Sequence, residues 1–260
     1  WVDRESGQRL DALLAAGPVD VELTTRVEHR SSTDFNVIAT APGRVEDGWI
    51  VLGSHHDAPW ASAVEDASGI AQVLAQATAW AAIAPAERPA SIAFVLTAAH
   101  MSDGAGTQEF IRSWAHSDRI RFALHLEHVA AEAVAENGAL RSTGRPEVRW
   151  WFASGGGAVD LDVVAASVSE AISAEELDRS LVLPPEIFGE MPPTDGGFFH
   201  LADIPMVNLL AAPMYLFDSA DTIEMIHRPS LESTALAAIR ITLDAADDWS
   251  RHRTQRADHD

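Results

Sequence analysis

Apolar residues recur along this chain in two rhythms, and the alternation between them predicts the architecture. Leu10, Leu13 and Leu14 fall at helical spacing within Val2 to Leu14, and Gly17-Pro18 stops that helix. Val19 to Val27 alternates as a strand and Phe35 to Ala39 reads as a second short one. Pro42-Gly43 then turns the chain toward the apolar strand Trp49 to Leu52. Beyond Asp66, the residues Ile70, Val73, Leu74, Ala77, Trp80 and Ala81 recur at three and four, so a helix lays one face on a sheet. Pro85 and Pro89 bound its end. Ile92 to Leu96 is a continuous apolar run of strand length, as expected of a strand covered on both faces. Phe110, Ile111 and Trp114 mark the next helix, and Phe122 to Leu126 the next strand.

Arg149 to Phe152 reads as a further strand, Gly155-Gly156-Gly157 as a turn, and Leu161 to Ile172 as a helix. The proline- and glycine-rich stretch from Ser180 to Phe199 has no period, and a loop of that length inside a compact domain is often functional. Pro205 to Leu210 is a buried strand. Leu231, Leu236, Ile239, Leu243 and Trp249 line a closing helix, and the polar tail 251–260 is expected to fray. Strands alternating with helices predict an α/β fold: a three-layer sandwich with a mainly parallel central sheet and helices on both faces. The expectation is a single domain over residues 1–260, without linker or internal repeat.

Composition narrows the chemistry. The 39 acidic residues against 18 basic ones give a net charge of -21, which argues against nucleic acid or an anionic membrane surface as partner. Every basic residue is arginine, so Schiff-base chemistry and a phosphate-loop lysine are excluded. The lack of cysteine removes thiol catalysis, thiolate metal sites and disulfides, and leaves the compartment open. No apolar run is long enough to span a bilayer and no signal peptide is visible. The first residue is Trp1, so the natural start is expected to lie upstream.

Two imidazoles and three carboxylates fall between His55 and Asp66, where the strand at Trp49 releases Gly53-Ser54-His55-His56-Asp57 and then Glu65-Asp66-Ala67-Ser68-Gly69. Further candidate ligands follow later strands: His100, then Glu127 and His128, then Asp218 and Asp221. In an open parallel sheet such strand ends share one edge, where ligand sites form. Oxygen and nitrogen donors converging there suit a divalent metal, although solvated, helix-capping loops produce the same residue types.

From Asn36 to about Leu243 the order of motifs resembles the zinc aminopeptidase family that also contains glutaminyl cyclases and relatives of glutamate carboxypeptidase. Its His-x-Asp strand end is matched by His55-His56-Asp57, and its Asp-Asn-Ala-Ser-Gly helix start by Glu65-Asp66-Ala67-Ser68-Gly69. Its Ser-Asp-x-x-x-Phe element resembles Thr194-Asp195-Gly196-Gly197-Phe198-Phe199 before Asp203-Ile204-Pro205, and its closing Asp-Thr resembles Asp221-Thr222. Trp1 to Val27 is similar to the segment flanking an inserted protease-associated domain in some members, and no such domain is expected here.

The resemblance also marks departures. The bridging aspartate falls on Glu65 and the asparagine after it on Asp66. The Glu-Glu pair, general base then ligand, falls on His100 and Met101, the next aspartate ligand on Glu127, and the last histidine ligand on Phe217. One metal position thus keeps His55, Glu65 and Glu127, while the other loses its ligands to Met101 and Phe217, neither of which holds a hard divalent ion. The resemblance therefore implies one divalent metal, expected to be zinc, with Asp66 and Asp218 as possible additional ligands. His100 stands in the general-base position or serves as a ligand, and Asp57 is expected to orient His55 with its carboxylate. Asp195 and Phe217, with Met214 and Tyr215 near the latter, are placed at the substrate pocket, while His56, His125 and His128 are assigned to surface or packing. The implied activity is hydrolysis of a small peptide or amide substrate; the alternative is a non-catalytic descendant that serves binding or assembly.

Overall fold

The computed structural model describes residues 4–44 and 48–247, so Val2, Trp249 and the tail 251–260 lie outside the described residues. Where the sequence reading has one domain, the chain divides into two compact units, Trp1–Thr33 and Asp34–Asp260. The first carries α1 (Arg4–Ala16), which ends at Gly17 with φ of +150°. No strand forms over 19–27, contrary to the alternation there: an extended segment becomes a strand only when a partner takes up its backbone groups, and none pairs with it.

The second unit contains β1 (Val37–Ala41), β2 (Trp49–His55), α2 (Gly69–Ala81), β3 (Ser91–Thr97), α3 (Ala105–Ser113), β4 (Ile120–Leu126), β5 (Ala131–Glu136), β6 (Ala139–Pro146), β7 (Arg149–Ser154), α4 (Leu161–Ala174), β8 (Ser180–Leu183), α5 (Gly197–Leu201), β9 (Met206–Ala211) and α6 (Ser230–Asp247). Seven strands form one sheet in the order β1-β3-β2-β4-β9-β7-β8. Side chains alternate across it, as strand geometry requires. Ile50, Leu52, Phe122 and Leu124 meet α2, α4 and α6 on one face through Val73, Trp80, Val164, Val168 and Ile241. Trp49, Val51, Ala93 and Ala123 meet Phe110 of α3 and Phe199 of α5 on the other. Helices therefore flank the sheet on both sides. No helix among the described residues is long and apolar enough to cross a membrane.

The expectation of a mainly parallel sheet is corrected to a mixed one. The centre, β3-β2-β4-β9, is parallel, as is the β7-β8 pair, but β1 runs antiparallel to β3 and β7 antiparallel to β9. After β4 no helix returns the chain to the opposite edge. The β5-β6 hairpin intervenes, and the next sheet strand, β7, must run backwards. That hairpin turns on Asn137 and Gly138, both with positive φ (49° and 80°), the pair preferred in such turns.

Because β2, β3, β4 and β9 are parallel, their carboxyl ends open on one edge. The chain between β2 and α2 folds back over that edge as a turn, Ala63–Ser68, tied to the end of β4 by Ser68. The Ser68 hydroxyl faces the carbonyls of Val64 (3.0 Å) and Glu127 (3.2 Å) and accepts from Val129 N–H (2.9 Å). Gly69 starts α2 so close to β4 that a Cβ there would stand 2.3 Å from Leu126 O and 2.6 Å from Asp66 Oδ1. Gly69→Ala is therefore expected to destabilise the fold by about 2 kcal/mol through overpacking against backbone. Urea unfolding checks this, and a change below about 0.5 kcal/mol would show that the two elements are less tightly apposed than described.

Candidate metal centre

Glu65 lies at the middle of the site. Its backbone N–H and that of Val64 donate to Asp221 Oδ2 (2.9 Å) and Oδ1 (2.8 Å), which fixes the turn from below. Its Oε1 lies 3.2 Å from His55 Nε2, at the end of β2, and 3.6 Å from His100 Nε2, in the turn after β3. Its Oε2 is in contact with His128 Nε2, two residues beyond the end of β4. The His55 and His100 rings stack in parallel, centroids 3.9 Å apart and planes 5° from each other.

Each imidazole is held from behind. His55 Nδ1–H donates to the backbone carbonyl of Asp57 (3.0 Å) and His100 Nδ1–H to Asp195 Oδ1 (2.8 Å), while His128 Nδ1–H donates to Ala211 O. Asp195 is in turn anchored by the hydroxyls of Thr107 (2.7 Å) and Thr97 (3.3 Å). The loop carrying His100 is pinned by Asn36, whose Oδ1 accepts from Ala98 N–H (3.0 Å) and whose Nδ2 donates to Gly106 O (2.8 Å).

Several expected residues take other places. The Asp57 carboxylate does not orient His55, because the backbone carbonyl does so; Asp57 Oδ1 accepts from His100 N–H instead (3.1 Å). Asp218 is exposed and caps its own turn through Ala220 N–H (2.8 Å), whereas Asp221 reaches the site. Tyr215 is fully buried, its hydroxyl 2.7 Å from Ala131 O and 3.0 Å from Met225 O, which makes it core rather than pocket wall. Met101 and Met214 are exposed and Phe217 is half-buried. His56 behaves as expected at the surface, stacked on Phe35 and bonded to its carbonyl. His125 and His128, by contrast, are buried among the carboxylates. Glu127 Oε1 lies 3.2 Å from His125 Nε2 and touches Thr194 Oγ1, and Glu127 Oε2 lies 3.7 Å from His128 Nε2. An apolar strand hides His125 from sequence reasoning, whereas His128 follows that strand's end, where the sequence already offers it as a candidate ligand.

The ionisation of the cluster follows from burial and neighbours. Burial raises Glu65, but the charge and hydrogen bond of His128, together with the charge of His55, outweigh it and hold the carboxyl well below the usual range. Glu127 is likewise raised by burial but lowered overall by His125, His128 and His55. Asp66 goes the other way: burial, then the charges of Glu127 and Glu65, push it well above the carboxylate range despite bonds from Ser54 and His55 N–H. Burial lowers His100, yet its bond to Asp195 and the charges of Asp195, Glu127 and Glu65 bring it up to about 9.

The donor chemistry fits a divalent cation. His55 Nε2 and Glu65 Oε1 are buried without any hydrogen-bond partner, and such orphans are costly unless something compensates them. Ligand atoms of His55, Glu65 and His100 all lie within 4.8 Å of one another. Two imidazoles and a carboxylate are a donor set of catalytic zinc sites that leave a further position open.

A flanked α/β sheet carrying a metal-type centre on its carboxyl edge defines the class. The chain belongs to peptidase family M28, which matches residues 36–242. Among solved structures it is similar to the LapA aminopeptidase of Legionella pneumophila, with 15% identity, TM-score 0.63, and 82% of this chain and 55% of that one covered. It is similar to BSAP, a zinc aminopeptidase from Bacillus subtilis, with 15% identity, TM-score 0.62, and 81% and 49% covered. The aminopeptidase from Aneurinibacillus sp. strain AM-1 shows 20% identity, TM-score 0.60, and 93% and 56% covered. This chain thus spans about half the length of those structures, and the likeness is one of fold. No curated protein matches it.

By the motif resemblance Asp66 takes the place of an asparagine, and a carboxyl whose pKa is pushed upward by burial, Glu127 and Glu65 favours the neutral form that mimics that amide. Asp66→Asn would keep an oxygen toward Ser54 and His55 N–H and place its NH2 at the unpartnered Oδ1. In the metal-stripped chain at pH 7 its Tm should be unchanged or higher. A fall beyond about 5 °C, more than 1 kcal/mol for a chain of this size, would contradict the neutral assignment.

Proposed function

We propose that this chain is a metal-dependent hydrolase of peptide or amide bonds, aminopeptidase-like, working with one divalent ion of which zinc is the first candidate. The observation that carries this reading is the unpartnered pair His55 Nε2 and Glu65 Oε1, buried at 3.2 Å from each other with His100 Nε2 beside them. Membership of a peptidase family and the zinc named for BSAP support it.

The chemistry that a bound ion supplies is Lewis acidity toward a carbonyl and toward water. The chain's own residues supply the setting. Asp57 and Asp195 hold the His55 and His100 rings so that each Nε2 faces Glu65, and Asp221 holds the turn from which Glu65 projects. Thr194 and His125 hold Glu127, and Asp66 in the same buried cluster has its pKa pushed up by burial and by Glu127 and Glu65. His55 and Glu65 are sealed from solvent, and the His100 side chain is 15% exposed, so a substrate carbonyl approaches past His100. The acidic surface favours neutral or cationic substrates over anionic ones.

The test is hydrolysis of a panel of peptides and aminoacyl amides by chain purified without chelator. Activity is expected to disappear on chelation, return on adding zinc, and be absent in His55→Ala. Activity that survives both chelation and His55→Ala would overturn the assignment. A metal-loaded chain that binds peptides without cleaving any would favour the non-catalytic alternative, to which the losses at Met101 and Phe217 also point.

A further inference from the structure

We infer that the centre is mononuclear, with His55 Nε2, Glu65 Oε1 and His100 Nε2 as its three protein ligands, and that His128 covers the second oxygen of Glu65. This rests on the metal-dependent reading above and changes two roles within it. His100, in the general-base position of the motif, is a ligand, and Glu65, in the bridging position, is a terminal ligand.

Four observations converge on this. The three donor atoms are the ones that approach each other, at 3.2 and 3.6 Å about Glu65 Oε1, and all lie within a 4.8 Å span. The non-coordinating atom of each is already engaged: His55 Nδ1 with Asp57 O, His100 Nδ1 with Asp195 Oδ1, and Glu65 Oε2 with His128 Nε2. Outer partners of this kind fix the tautomer and direction of metal ligands, and here they act on all three donors at once. Glu127, the third ligand by resemblance, has Oε1 directed to Thr194 and His125 and Oε2 to the His128 side. The second ion of a bridged pair has no seat: the Met101 side chain is half exposed, Phe217 offers no donor, and the oxygen that would bridge is taken by His128.

The experiment combines metal content per full-length chain with zinc K-edge X-ray absorption, which counts bound imidazoles. It adds zinc affinity by chelator competition for His100→Ala, His100→Gln and Glu127→Gln, with circular dichroism to confirm folding. Wild type should hold one zinc bearing two imidazoles. Both His100 variants should lose more than about 100-fold in affinity, beyond the 10- to 100-fold typical of a lost outer partner, and Glu127→Gln should keep one zinc with two imidazoles. Two ions per chain, or one imidazole in the wild type, would overturn the inference without touching the hydrolase reading. So would folded His100 variants that keep wild-type zinc affinity while losing hydrolysis. The imidazole count stands even if a variant does not fold. A wild type that takes up no zinc would overturn both.

Discussion

Every buried carboxylate among the described residues lies in one place. Glu65, Asp66, Glu127, Asp195 and Asp221 are each at most 3% exposed, and the buried histidines His55, His125 and His128 stand among them. Neither buried arginine is spent there, since Arg88 binds carbonyls of Trp80, Ala81 and Pro42 while Arg149 binds Asp178 O and Ser230. Ionised groups withdrawn from water are tolerated only when paired or coordinating, and among the described residues imidazoles are the basic side chains that stand against the cluster. The site is thus built for positive charge, part of it carried by histidine and part of it, on this account, by a metal ion. Asp66 answers the same constraint differently, through a pKa that burial and its carboxylate neighbours push upward.

The fold supplies this concentration through parallel strand ends. β2, β3 and β4 each deliver a histidine or carboxylate to one edge, and the Ala63–Ser68 turn brings Glu65 across all of them. By the motif resemblance, a histidine stands in the general-base position at 100 while ligands are lost at 101 and 217. The two changes are coupled through one carboxylate: a side chain longer by one methylene spreads its oxygens between His55 and His100 on one side and His128 on the other. On this account a single ion and an ordered site are compatible.

Local periodicity made most of the fold legible. The helices over 69–81 and 161–174, the strands ending at His55, Thr97 and Leu126, and the motif order from Asn36 onward all follow from short-range pattern. What failed depended on distant partners. Val19 to Val27 alternates well but finds no strand to pair with, and Ser180–Leu183 becomes an edge strand only because β7 lies beside it. The β5-β6 hairpin escaped the reading although Asn137-Gly138 announced it. At the site, His55, Glu65 and His100 could be named from spacing. His128 could be named only as one candidate ligand among several, because its bond to Glu65 appears only when a turn 63 residues earlier in the chain folds back onto β4. His125 could not be named as part of the site at all, hidden within an apolar strand. Asp57 shows a finer limit: the residue was legible, but whether its side chain or its backbone carbonyl would hold His55 was not.

The most direct measurement is anomalous diffraction at the zinc edge from crystals of the full chain grown with zinc. The account predicts one peak, bounded by His55, Glu65 and His100, with His128 still on Glu65. Two peaks bridged by Glu65, or one peak seated on Glu127 with His100 turned away, would contradict it.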